Sequence, residues 1–252
     1  MKKTIISLGA FSLFTLGGQA ALIAEYTFEN GTFTGAGAGM TINDQSGNNY
    51  TGTISGGGLT GTTVVVDGER GNVINVTSES GGTMSVGIDS NTGERTYAFW
   101  LKTTDHNGYV FDNQSPRNIA GMGNGSSSSN SYLDYYDGTA WRTSSVGVNV
   151  DNAWHHYAYV LSGTTATFYV DGSEAGSVTI SDVDALSSSQ TQMFFGRYSA
   201  SAGIKTGSWD DVQLYDNALT AQEVAALAAV PEPTSTALIG LGGLSLILRR
   251  RR

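Results

Sequence analysis

The sequence predicts an all-β domain, an antiparallel sandwich, on three observations. Apolar and polar residues alternate with period two through its longest patterned stretch, tight-turn residues recur between patterned runs, and the composition suits short strands. Gly accounts for 34 of 252 residues, against a typical share of about 7 %, while Pro occurs three times. A hydrophobic content of 39 % is enough for a core, and one large sandwich commonly uses this length.

The elements follow in order. Ala24 to Phe28 alternates and reads as the first strand. Asn30 to Gly39 is a loop, and Ile42 to Gly52 a turn dense in side-chain oxygens. Short strands are expected at Thr62–Val66, Val73–Val76 and Thr83–Ile88, then a strong one at Arg95–Lys102 and another at Tyr109–Phe111. The run from Asn113 to Asn130 reads as a long loop or two short edge strands. Tyr132–Tyr136 and Trp141–Arg142 form a hairpin turning at Asp137–Gly138.

Alternation is clearest from Trp154 to Gly172. Trp154, His156, Ala158 and Val160 share one face, and His155, Tyr157 and Tyr159 the other. After a turn at Ser162–Gly163–Thr164, Ala166, Phe168 and Val170 line up again. Asp171–Gly172 supplies a second hairpin turn, because Asp tolerates and Gly favours positive φ. Strands are expected at Ser177–Ile180, Met193–Arg197 and Gly207–Asp216. Thr220 with Glu223 three residues on forms a capping box for a short final helix.

The two ends stand apart from the domain. Met1–Lys2–Lys3, an apolar run from Ile5 to Leu16 and small residues up to Ala20 make a secretory signal peptide, residues 1–20, with cleavage after Ala20. At the other end, residues 230–252, Pro231–Glu232–Pro233 precedes an apolar stretch and four arginines beginning Arg249–Arg250. That stretch is short of the ~20 residues of a spanning helix. Transient membrane insertion is expected, with the arginines held on the cytoplasmic side. Residues 21–229 remain as one domain. Thirteen basic residues less the six at the ends leave 7, and 22 acidic residues less Glu232 leave 21, so the processed domain carries −14. Nucleic acid is excluded as a partner, since phosphate binding needs clustered Lys and Arg. With no cysteine there is no disulfide framework, thiolate nucleophile or cysteine metal site.

Three motifs carry a resemblance. They are Trp154–His155–His156 followed by Tyr169–Val170–Asp171–Gly172, the Asp44-x-Ser46–Gly47–Asn48 loop, and Asp210–Asp211–Val212-x-Leu214–Tyr215-x-x-Ala218–Leu219. Together they resemble LamG-like jelly rolls of the concanavalin A-like lectin/glucanase superfamily, over most of Ala21 to Val230. The C-terminal segment resembles a PEP-CTERM sorting signal. The resemblances imply a jelly-roll sandwich, the export machinery and an exosortase as partners, and a place at the surface or in the matrix of a Gram-negative-type cell.

Glucanases of this superfamily carry a Glu-x-Asp-x-(x)-Glu run on one strand, which none of the eight glutamates here forms. Adjacent His155 and His156 point to opposite faces and cannot converge on one ion. The expected role is therefore binding, not catalysis, with polysaccharide or a surface protein as ligand; the alternatives are a polysaccharide-cleaving enzyme with carboxylates from separate strands and a structural or adhesion protein without a specific ligand. Tyr132, Asp134, Tyr135 and Trp141 beside Asn124 are the candidate sugar contacts, rings for stacking and polar groups for hydroxyls. Calcium is the expected cofactor. Simple alternation puts Asp210 on the apolar face of Val212 and Leu214, where a carboxylate needs a counter-charge. No Lys or Arg lies near it in sequence except Lys205. The family often joins its first and last strands at such an ion, which here implies Asp210, Asp44 and Glu25 as ligands.

Overall fold

The computed structural model describes residues 21–37, 39–55, 62–76, 82–86, 93–105, 108–114, 117–122, 132–183, 191–195, 197–199, 202–203 and 206–229. Its strands form two antiparallel sheets. The eight-stranded sheet runs β15 (Ser173–Thr179), β14 (Thr165–Val170), β13 (Trp154–Ser162), β8 (Arg95–Thr103), β19 (Gly207–Tyr215), β6 (Gly71–Val76), β5 (Thr62–Asp67), with β1 (Leu22–Tyr26) also paired to β19. The nine-stranded sheet runs β12 (Trp141–Gly147), β11 (Tyr132–Tyr136), β10 (Arg117–Met122), β9 (Gly108–Gln114), β16 (Thr191–Phe195), β7 (Gly82–Val86), β4 (Gly52–Ser55), β3 (Thr41–Ile42), β2 (Phe33–Thr34). A small ribbon pairs β17 (Arg197–Ser199) with β18 (Ala202–Gly203).

The core lies between the sheets. Tyr97, Phe99 and Leu101 of β8, Tyr157, Tyr159 and Leu161 of β13, and Trp209 of β19 face Phe111, Ala120, Met122, Leu133 and Tyr135 of the other sheet. Aromatic rings interlock there, Tyr159 standing edge-on to Phe168 at 5.3 Å, and each such ring contributes about 1.5–3 kcal/mol by burial. The opposite side of β13, with Ala158 and Val160, is covered at one end by Val224 of α1 (Ala221–Ala228) and by Leu219 just ahead of that helix. The capping box forms as expected: the Glu223 N–H donates to Thr220 Oγ1, and the Thr220 N–H donates to Glu223 Oε2 at 2.7 Å. Asp171 and Gly172 both adopt positive φ, 49° and 76°. A Cβ on Gly172 would lie 3.1 Å from Ala225 Cα, so glycine also lets the helix approach this turn.

Two expectations are corrected. Arg117–Met122 is neither loop nor edge strand; it is interior, hydrogen-bonded to β9 on one side and β11 on the other. Short strand β2 forms within the segment read as loop, and β3 and β4 form at the two edges of the turn.

Two β-bulges then decide which side chains face out. In β19 the register against β8 slips between Asp210 and Gln213, and Asp211 takes φ 43°. The extra residue returns Val212 and Leu214 to the face of Trp209, inside, and leaves Asp210 outside. Asp210 therefore does not share a face with Val212 and Leu214, as strict alternation requires. In β9 the register against β10 slips at Val110, so that Phe111 pairs with Ala120 inside but Tyr109 pairs with Gly121.

Candidate functional site

On the outer face of the nine-stranded sheet the second bulge builds an aromatic platform. Tyr109 stacks on Trp141 at 5.6 Å and 29° between planes. Tyr136 tilts against the same indole at 5.4 Å and 55°. All three are half-buried, presenting ring area while anchored by their neighbours. Gly121 makes the arrangement possible: a Cβ there would lie 3.1 Å from the Trp141 ring, so its absence lets the indole settle over β10. Rings held this way offer apolar faces at little entropic cost.

Cross-strand pairing puts Asp134 next to Gly121 and Thr143, with Tyr132 and Tyr136 flanking it on the same face. Asp134 is only 1 % exposed. Burial pushes its carboxyl up to about 7, and the bonds from the Thr143 side chain and the Ser144 N–H offset this only in part. One of its oxygens, Oδ1, has no hydrogen-bond partner. Asp134 thus lies beneath the platform, and its carboxyl exchanges its proton near neutral pH.

Of the residues expected here, Tyr132 and Trp141 lie on this face and Asp134 lies beneath it. Tyr135 is a correction: its neighbours on β11 alternate with it, and the ring is fully buried in the inter-sheet core. Asn124 lies outside the described residues, as do Ala20, Pro231, Glu232, Pro233, Arg249 and Arg250. Tyr109 belongs to the platform and was not foreseen, because alternation from Phe111 assigns it to the core.

The three carboxylates expected to share calcium are not brought together. Asp210 Oδ2 accepts from Arg70 Nε at 2.9 Å, and Asp211 Oδ2 from Arg70 Nη2 at 2.6 Å. The guanidinium lies over the Trp100 ring, 4.2 Å from its centroid. Arg70 is thus the counter-charge that sequence proximity did not reveal, brought in by the β5–β6 hairpin. Asp44 Oδ1 accepts the N–H groups of Glu25 and Ser46, and Oδ2 accepts the Ser46 hydroxyl and the Tyr50 N–H, all within 3.1 Å. Burial alone would raise its pKa, but these donors hold it below the usual carboxylate range. Glu25 Oε1 takes the Gln213 amide at 2.7 Å, on the far side of the β19 bulge from Asp210. Among the described residues no group of three or more His, Cys, Asp or Glu side chains is placed to hold a metal ion.

The two histidines diverge as expected. His156 is buried, edge-on to Trp100 at 5.4 Å. Burial lowers its pKa to about 4, so it is neutral. His155 reaches Asp171 Oδ2 at 2.8 Å and Asp151 at 3.3 Å. Burial works against its charge, but these carboxylates prevail and raise its pKa.

Comparison with known proteins agrees with this architecture. Domain 4 of AbnA, an extracellular GH43 arabinanase from Geobacillus stearothermophilus solved with arabinotriose, superposes with TM-score 0.62 and 20 % identity, covering 83 % of this chain and 98 % of its own. The binding domain of Paraclostridial Mosquitocidal Protein 1 gives TM-score 0.58 at 18 % identity, covering 82 % of this chain and 52 % of its own. The binding domain of botulinum neurotoxin DC, solved with rat synaptotagmin II, gives TM-score 0.58 at 10 % identity over 82 % and 51 %. The chain spans about half the length of these toxin domains, and at such identities the likeness is one of fold. Among curated proteins none matches the chain in sequence. Residues 229–252 match the PEP-CTERM protein-sorting motif, which marks the protein for export and surface sorting in bacteria. Residues 75–225 match the Laminin_G_3 family model, and the chain belongs to the concanavalin A-like lectin/glucanases superfamily.

Proposed function

We propose that this protein is a carbohydrate-binding module of a Gram-negative-type cell surface, and that it holds polysaccharide on the Trp141 platform without cleaving it. The observation that carries the reading is the Tyr109–Trp141–Tyr136 cluster on an outer sheet face, where rings are anchored and half-exposed. Sugar rings lay their C–H faces on such surfaces, and the neighbouring strands supply hydroxyls for their edges. That a domain of the same fold was solved with arabinotriose supports a short oligosaccharide as ligand class. The domain itself is residues 21–229, released from its ends by a signal peptidase after Ala20 and an exosortase near Pro231–Glu232–Pro233. Affinity for short oligosaccharides is expected between millimolar and micromolar, about −4 to −8 kcal/mol.

The test is a glycan array probed with the full chain in detergent, beside the Trp141→Ala variant. Retention of the parent on neutral glycans, lost in the variant, is the expected result. Equal retention of both refutes the platform. Release of reducing sugar from the retained polysaccharide would assign an enzyme instead.

A further inference from the structure

The eight-stranded sheet carries a separate hollow of about 390 Å³ on its outer face. That volume is at the small end of the roughly 300–1,000 Å³ of ligand sites. Its floor comes from four adjacent strands. Asp67 of β5, Asn75 of β6, Lys102 of β8 and Ser208 of β19 all point away from the core, because Ile74, Val76, Leu101 and Trp209 beside them point into it. Val65 adds an apolar wall and Thr206 a rim hydroxyl.

The hydrogen bonds within the hollow define what it can take. Asp67 is held by four donors: its Oδ1 accepts from the Glu69 N–H at 2.9 Å, the Arg70 N–H at 3.3 Å and Trp154 Nε1 at 3.1 Å, and its Oδ2 from Lys102 Nζ at 3.1 Å. The carboxylate therefore fixes the ammonium, which as the nearest positive charge disfavours a second cation there. Among the described residues Lys102 Nζ donates to Asp67, which leaves two of its N–H donors for a ligand. Asn75 Nδ2 donates to Ser208 Oγ at 2.8 Å and to the Gly207 carbonyl at 3.4 Å, which leaves the serine proton and Asn75 Oδ1 as groups a ligand can meet. The ion pair is neutral overall, and the processed domain carries −14, so its field disfavours an anion. Fixed donors and acceptors beside an apolar wall suit a ring with vicinal hydroxyls on its edge and C–H groups on its face.

We propose that this hollow is a second carbohydrate site, taking a neutral sugar at the end of a glycan chain, on the side of the sandwich opposite the Trp141 platform. The ligand class rests on the reading of the protein as a glycan binder. The location does not, since no residue is shared between the two sites. Sites on opposite faces let one molecule bridge two chains.

The experiment is an NMR titration of the isotopically labelled full chain in detergent with arabinotriose, xylotriose and maltotriose. The parent protein, Trp141→Ala, Ser208→Val and Lys102→Met are compared. The expected result is saturable shifts of the Thr104 and Thr206 amides that persist in Trp141→Ala. They should weaken at least tenfold in both hollow variants, while the Trp141 indole signal still responds in those two. Two hollow variants guard against one failing to fold. If Trp141→Ala removes every shift, or the hollow amides never move while the indole does, the hollow is not a site and the platform reading stands. If the hollow amides move and the indole does not, the hollow stands and the platform reading falls. If no probe shifts either set, both fall.

Discussion

Replacing Arg70 by Met tests how the outer face of the eight-stranded sheet is held. The Arg70 and Asp210 side chains are 6 % and 1 % exposed, with the Nε to Oδ2 contact at 2.9 Å. Removing one partner of such a pair costs about 3–5 kcal/mol, because the other charge stays buried. The Asp211 contact is more exposed, at 20 %, and adds no more than about 1 kcal/mol after solvent screening. The cation–π contact with Trp100 adds roughly 0.5–2 kcal/mol. Part of that is retained by the Met stem packing on the same indole.

The expected loss in Arg70→Met is thus about 4 kcal/mol, read from urea unfolding at constant m-value. At about 2–4 °C per kcal/mol for a domain of this size, the midpoint should fall by roughly 8–16 °C. The control is Arg70→Met with Asp210→Leu. Exchanging both charges for apolar groups should recover most of the loss, since a buried pair contributes little beyond its own satisfaction. A loss below about 1 kcal/mol in the single variant, or a double variant no better than the single, refutes the argument.

Tyr135→Ala should cost about 3–5 kcal/mol by leaving a core cavity, whereas Trp141→Ala should cost far less and remove glycan retention; equal destabilisation would move Trp141 into the core. Melts in excess calcium and in excess chelator should coincide, because Arg70 neutralises Asp210 and backbone donors occupy Asp44; a midpoint raised by calcium would reinstate the ion. The Asp134 carboxyl titrates near 7 when folded against 3.8 in the unfolded chain. The native state therefore binds the proton more tightly, and this contribution to stability is present below pH 3.8 and lost as pH rises towards 7. Asp134→Asn should flatten that part of the stability profile, and an unchanged slope in the variant would show that Asp134 is not its source. His155 has a raised pKa, so its contribution is complete below about pH 6.5 and lost as pH rises through the folded value. His155→Gln should remove that alkaline limb in two-dimensional pH–urea unfolding.

Much of the fold was legible because it is written in short-range chemistry. Asp171–Gly172 had to turn, since few other dipeptides accept positive φ twice, and both angles are positive. Thr220 and Glu223 announce a helix start by satisfying each other's backbone donors. Strands β8 and β13 are long and aromatic enough for alternation to outweigh any rival pattern. Strands β2, β3 and β4 have no such margin. Two to four residues give a period-two pattern nothing to repeat, and they form only because a neighbouring strand supplies hydrogen bonds.

The site was less legible, and for a single physical reason applied twice. Alternation tells which face a side chain takes only while the strand stays in register with its partner. A bulge is a property of two strands, so neither sequence declares it alone. The slip at Val110 carries Tyr109 from the core side to the platform, and the slip at Asp211 carries Asp210 from the core side to Arg70. The first hid a residue of the platform, and the second hid the arginine that partners the carboxylate expected as a metal ligand. Both slips leave local marks. Asp211 accepts a left-handed conformation that valine or leucine would resist, and Gly121 clears the space into which Trp141 settles. In a lectin-like sandwich, then, an acidic pair or a glycine on a strand otherwise rich in apolar residues points to where alternation breaks. The outward-facing chemistry should be sought within two residues of it.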